Sequence, residues 1–218
     1  MRSSLPYIRV MVSTLRLPRP LVDDDAAAVG LLRRYYADTN PGFSGRHFER
    51  LGGGGDASTV RDRFTADDLV AVTMLSVQVP PHTAWALLEE RSASFGELLE
   101  QIPTDVDLVD VDADTIAPSW PAWQLWESLR AMDGIGWVTA GKLLARKRPR
   151  LIPVYDEVVR GAVQPTGSFW QALHLALNTD GLHGHLLELR DESGIGDDIS
   201  PLRVFDVVTW MDGRSTPR

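Results

Sequence analysis

The chain has 218 residues, 44% of them hydrophobic and 24% charged, with a formal net charge of −8 and no cysteine. These are ordinary values for a soluble globular protein, and the missing cysteine excludes disulfides, thiolate metal sites and cysteine nucleophiles. No apolar run approaches the roughly 18 residues that a membrane span needs, so no membrane partner is expected.

The charge is uneven. Residues 1–22 carry +4 through Arg2, Arg9, Arg16 and Arg19, residues 137–160 carry another +4, and the remainder therefore carries −16. The basic N-terminal arm, 1–22, has no small-residue cleavage signal and Arg9 interrupts its apolar stretch, which points to a cytoplasmic rather than a secreted protein.

From residue 23 the pattern is helical. Three acids, Asp23 to Asp25, precede an alanine-rich segment with Val29, Leu32 and Tyr36 at helical spacing, which predicts a first helix. The stretch to Ser58 is dense in Gly, Ser, Asn and Pro and predicts loop. Its Gly52–Gly55 run lacks the Gly-Lys-Ser/Thr that would make it a phosphate loop. Thr65 is a predicted N-cap for a core helix ended by Pro80 and Pro81. Residues 82–103 predict two short helices with Trp85, Leu88, Phe95, Leu98 and Leu99 turned inward.

The acidic segment 104–119 reads as a solvated loop or a short edge strand. Asp110, Asp112 and Asp114 begin like a calcium loop, but Thr115 and Pro121 stand where glycine and glutamate are required. From Pro121 a helix with Leu125, Leu129 and Met132 on its inner face runs into Gly134-Ile135-Gly136, a tight turn from which a second helix starts at once. The main-chain N–H groups at that start form an anion site, and Lys142, Arg146, Lys147 and Arg148 follow, four cations that would surround a bound phosphate. Two amphipathic helices come after Arg160, and Ser200-Pro201 opens the last at its N-cap and first position. His174, His183 and His185 have no carboxylate at a zinc-site spacing, so neither a metal nor a cofactor is expected.

The segment from Gly134 to Asp156 resembles the helix-hairpin-helix of the endonuclease III-like DNA glycosylase superfamily. Gly134, Ile135, Gly136, Thr139 and Ala140 match the hairpin, and Pro153, Val154, Tyr155 and Asp156 match the delayed aspartate segment. The resemblance covers about thirty residues. It implies backbone contacts to DNA at Gly134, Gly136, Trp137, Lys142, Arg146, Lys147 and Arg148, and a catalytic role for Asp156. Bifunctional members carry a lysine two positions after the second hairpin glycine; Val138 stands there, so a Schiff-base lyase is not implied. More widely, "FTADDLVAVTMLSVQVP", "GWVTAGKLLARKRPRLIPVYD" and "ISPLRVFDVVTWM" resemble an uncharacterised actinobacterial family of unknown function, which brings no activity with it.

Asp156 admits two readings. It precedes "EVVRGAV" as a helix N-cap would, and a carboxylate is also the right group to stabilise positive charge developing on a sugar. No second acid–base residue is evident. The basic run likewise admits a solvated helix end, and Tyr35, Tyr36, Trp137 and Tyr155 could stack on bases or simply pack.

The expectation is thus a mainly α protein: a single helical domain, 23–218, with a helix-hairpin-helix at about 121–146, preceded by an arm that is extended or holds a short strand. Its expected function is DNA binding, with monofunctional glycosylase-like activity. The alternative is a non-enzymatic interaction protein that uses the same scaffold to meet a protein partner.

Overall fold

The computed structural model describes residues 13–39, 41–179 and 181–215, so most of the basic arm lies outside the described residues. Among the described residues there are ten α-helices and no strand: α1 (Asp25–Tyr36), α2 (Ala66–Thr73), α3 (Pro81–Trp85), α4 (Ser92–Glu100), α5 (Pro121–Arg130), α6 (Trp137–Lys147), α7 (Glu157–Val163), α8 (Phe169–Leu177), α9 (Leu182–Ser193) and α10 (Pro201–Ser215). The mainly α expectation holds.

The local signals behave as their chemistry predicts. Asp24 caps α1 by accepting from the Ala27 N–H. Thr65 and Asp68 cap α2 reciprocally, each side chain taking the other's backbone N–H. Ser168 caps α8, and Ser200 accepts from the Arg203 N–H at the head of α10. What remains of the arm, from Ser13, runs beside the end of α7, where the Arg16 N–H donates to the Val163 carbonyl at 2.8 Å.

Two helices form the centre. α6 packs against α2 and α5, while α10 packs against α1, α7 and α9. Every residue of α6 from Thr139 to Lys147, and of α10 from Pro201 to Thr209, is buried. A helix covered all round is normally apolar throughout. These two are not, and their charged residues organise the rest of the molecule.

Two expectations need correction. α2 ends at Thr73, well before Pro80, because the chain turns through Ser76 with φ of 63°; Pro81 instead begins α3. Trp85 is exposed, whereas Leu87 is fully buried. A π-helical turn at Ala86–Glu90 joins α3 to α4 and shifts the inward face by a residue, so spacing counted at 3.6 residues per turn picks Leu88 in place of Leu87. Of the two readings of the acidic segment the loop holds, with two short 3-10 turns at Leu108–Asp110 and Ala113–Thr115 and no edge strand.

Candidate active-site cavity

The glycine turn between α5 and α6 is open. Gly134 and Gly136 are exposed. Gly134 has φ of 72°, and a Cβ there would lie 2.4 Å from Pro80 Cγ, so both the turn and the close approach of Pro80 require glycine. Gly136 is the N-cap of α6 and no side chain caps that helix.

The basic run does not face solvent with it. Lys142, Arg146, Lys147 and Arg148 are all buried, which corrects the expectation that they surround a bound phosphate. Arg146 Nε donates to Asp68 Oδ1 at 3.1 Å, and its terminal nitrogens donate to the carbonyls of Phe48, Glu49 and Leu51. Lys147 donates to Asp68 Oδ2 at 3.0 Å and to the Val60 carbonyl at 2.8 Å. Arg148 reaches the carbonyls of Leu99, Ile102 and Arg61, and pairs with Asp62 at 2.8 Å. The physical reason lies in the loop. Residues 44–63 pass beside the core with no regular hydrogen bonding beyond short turns, and their buried carbonyls need donors; side chains at the end of α6 supply them. Burial lowers the pKa of Lys147 and Arg148 despite Asp68 and Asp62.

Lys142 points elsewhere. Its Nζ donates to the Leu75 carbonyl at 2.8 Å and to Asp156 Oδ2 at 3.4 Å. The structure therefore brings together two of the expected site residues, Lys142 and Asp156, and separates them from the other three cations. On α6, Val138 and Lys142 sit one turn apart on one face. In the extended segment before α7, Val154 and Asp156 alternate with Pro153 and Tyr155. These two periodicities aim Val138, Lys142, Val154 and Asp156 at a single cavity of about 580 Å³, closed by Tyr35, Phe43, residues 74–77, and Arg203, Asp206 and Trp210 of α10.

Asp156 has two tasks here. Its Oδ1 accepts from the Val158 and Val159 N–H groups and caps α7, as the simpler reading expects. Its Oδ2 is left to Lys142 and the cavity, and the side chain keeps 17% of its surface exposed. Lys142 has its pKa lowered, chiefly by burial, with Asp156 opposing.

Behind this pair sits a second ionic group. Asp206 pairs with Arg203, which also donates to the Tyr35 hydroxyl at 2.7 Å and the Gly45 carbonyl at 3.1 Å. Glu49 Oε1 lies 2.5 Å from Arg203 Nε, out of line for a hydrogen bond. Burial pushes Asp206 up to about 7, with Arg203 pulling the other way and Asp156 adding to the rise. Burial likewise raises Glu49 and takes the Tyr35 hydroxyl to about 12. Two carboxyl groups thus line one cavity in unlike environments: Asp156 is partly solvated and lysine-paired, and Asp206 is sealed and raised. Such a division can place a charge-stabilising carboxylate and a proton donor in one site.

Sequence reasoning missed Arg203 and Asp206. A signal was present: opposite charges three residues apart inside the apolar run "PLRVFDVV" indicate a pair buried together. Of the aromatics singled out, Tyr35 stacks on Phe43 at 5.2 Å beside this cavity. Trp137 and Tyr155 face away from it, on the other side of α6, with ring centroids 5.2 Å apart.

Residues 28–213 match the model of a family described as a family of unknown function (DUF6308), and the chain belongs to that family. No curated protein and no solved structure matches it.

Proposed function

Starting from a family to which no activity is attached, we propose that this protein binds nucleic acid and hydrolyses an N-glycosidic bond in the Asp156 cavity, as a monofunctional glycosylase-type enzyme. The observation that carries this reading is the split use of Asp156: one oxygen fixes the carboxylate on α7, and the other is presented to a cavity large enough for a nucleoside, with Phe43 and Trp210 among its walls.

As the bond between the sugar and the base nitrogen breaks, positive charge grows on the sugar, and the Asp156 carboxylate stabilises it. Asp206, which lines the same cavity, is the proton donor: burial raises its carboxyl to about 7, so that about half of the molecules carry the proton at neutral pH. Water attacks the sugar carbon from the cavity and its proton returns to the carboxyl pair. Sugar carbon–oxygen replaces sugar carbon–nitrogen, and charge balances.

The strand is held at the exposed glycine turn in the manner of a helix-hairpin-helix, by amides at the start of α6. Arg146, Lys147 and Arg148 take no part, because they are spent on carbonyls inside. Few phosphates are then neutralised, so affinity should fall only gently with salt, with a slope near −0.9 per phosphate contacted.

Oligonucleotides carrying deaminated or alkylated bases, and free nucleosides, would be incubated with the protein and released base measured by chromatography. Base release should fall about 100-fold or more in Asp156→Asn, which keeps a capping oxygen and so keeps the fold. A folded protein that frees no base from any of these substrates, or an Asp156→Asn variant with full activity, overturns the enzyme reading.

A non-enzymatic role has one observation in its favour. Five buried cations, Lys142, Arg146, Lys147, Arg148 and Arg203, outnumber the two buried acids, Asp68 and Asp206, and so leave the outer surface more acidic than the net −8 suggests, which suits a basic protein partner. In that case charge reversal of surface acids would abolish partner binding while Asp156→Asn would change nothing.

A further inference from the structure

A second cavity, of about 400 Å³, lies on the neighbouring face of α6, and the chemistry above does not use it. The same two periodicities create it. Trp137 and Gly141 sit one turn apart on α6, and Pro153 and Tyr155 are the alternate residues of the extended segment. Six aromatic rings wall it: Trp123 and Trp126 from α5, Trp137, Tyr155, Phe169 and Trp170. Trp170 meets Trp123 edge-on at 5.4 Å and Trp126 at 5.9 Å, and Tyr155 lies flat on Phe169 at 3.8 Å. At Gly141 an added Cβ would meet nothing closer than Trp126 Nε1 at 3.9 Å, so the recess there is open.

The charged residues lining it are Arg130 and Arg160. The Arg130 guanidinium lies 4.5 Å over the Trp126 ring and that of Arg160 lies 5.7 Å over Trp137. Each is held from behind by a glutamate on its own helix, Glu127 at 3.2 Å and Glu157 at 3.0 Å, and neither glutamate lines the cavity. The recess is therefore aromatic inside and positive at two points.

This combination selects its occupant. An aromatic box by itself attracts quaternary ammonium groups, but two guanidinium groups in the wall repel them. A purely aliphatic ligand makes no use of the two arginines beyond their pairs with Glu127 and Glu157. A planar ring that stacks among the indoles and carries an anion for the arginines satisfies both features. We propose that this recess binds a nucleotide, its base among the tryptophans and its phosphate at Arg130 and Arg160. The base belongs either to a free nucleotide or to a single strand.

The test is calorimetric titration, with tryptophan emission as a second readout. Adenosine monophosphate, adenosine, tetramethylammonium and an eight-residue deoxyadenosine oligonucleotide would be titrated into the full chain carrying Asp156→Asn. Binding in that variant is independent of the cleavage reaction, so failure of one proposal is told apart from failure of the other. Adenosine monophosphate should bind saturably, about tenfold tighter than adenosine, and the double variant Arg130→Gln/Arg160→Gln should lose about tenfold or more. Both arginines are surface residues, so the double variant folds; Trp137→Leu should also weaken binding. An oligonucleotide that binds much tighter than the monophosphate identifies a strand as the source, and comparable or weaker binding identifies a free nucleotide. No saturable binding of either, unchanged affinity in the double variant, or tighter binding of tetramethylammonium overturns the proposal.

Discussion

Asp68→Ala probes the ionic cluster that replaces the expected basic surface. Asp68 is fully buried, accepts from Arg146 at 3.1 Å and Lys147 at 3.0 Å, and completes the reciprocal cap of α2 through the Thr65 N–H at 2.9 Å. Removing one partner of a buried ion pair costs about 3–5 kcal/mol, because the other charge stays behind without compensation. Loss of the cap adds about 1 kcal/mol. The loss is limited from the other side: Arg146 keeps the carbonyls of Phe48, Glu49 and Leu51, and Lys147 keeps that of Val60. The expected sum is about 4 kcal/mol, which for a domain of this size lowers the melting temperature by about 8–16 °C. Asp68→Asn retains an acceptor oxygen and should lose roughly half as much. Arg19→Ala, at the exposed Arg19–Asp23 pair, serves as the control and should cost under about 1 kcal/mol. Thermal and urea denaturation measure all three. If Asp68→Ala melts within about 3 °C of the parent, the cluster does not hold the 44–63 loop against α6 and the account of the buried cations is wrong.

Gly134→Ala should cost about 2 kcal/mol or more, from a positive φ and the contact with Pro80. Gly136→Ala, with open space around it, should cost no more than about 1 kcal/mol; equal losses in urea melts would refute the assigned turn geometry. The raised pKa values of Asp206 and Glu49 mean that the folded protein keeps protons the unfolded chain releases. Their contribution to stability is complete below about pH 4 and is lost as pH rises, that of Asp206 as pH passes about 7, so the melting temperature should decline across that window. Asp206→Asn should flatten the decline in scanning calorimetry; an unchanged profile would show that Asp206 is not the group responsible. Arg148→Met removes the donor to four carbonyls and should raise hydrogen exchange around Arg61 and Ile102, and no change there would contradict its bridging role.

Much of the helical plan was legible along the chain because helices are specified locally. Thr65 and Ser200 announce helix starts through a side-chain oxygen within reach of the next turn, and Leu125, Leu129 and Met132 mark an inner face through spacing alone. Asp156 could be recognised as a cap for the same reason. Tertiary structure decided where the charges go. Nothing near Arg146 in sequence shows that the carbonyls of Phe48, Glu49 and Leu51, almost a hundred residues earlier, are buried and short of donors. Three adjacent cations, Arg146 to Arg148, read as a surface until their buried acceptors are in place, and then their burial follows from the cost of leaving a buried carbonyl unpaired. The pairing of Asp156 with Lys142, and the approach of Asp206 from the far end of the chain, were settled the same way. Helical periodicity states which residues share a face, and only the packing of α6 against α10 determines what that face meets.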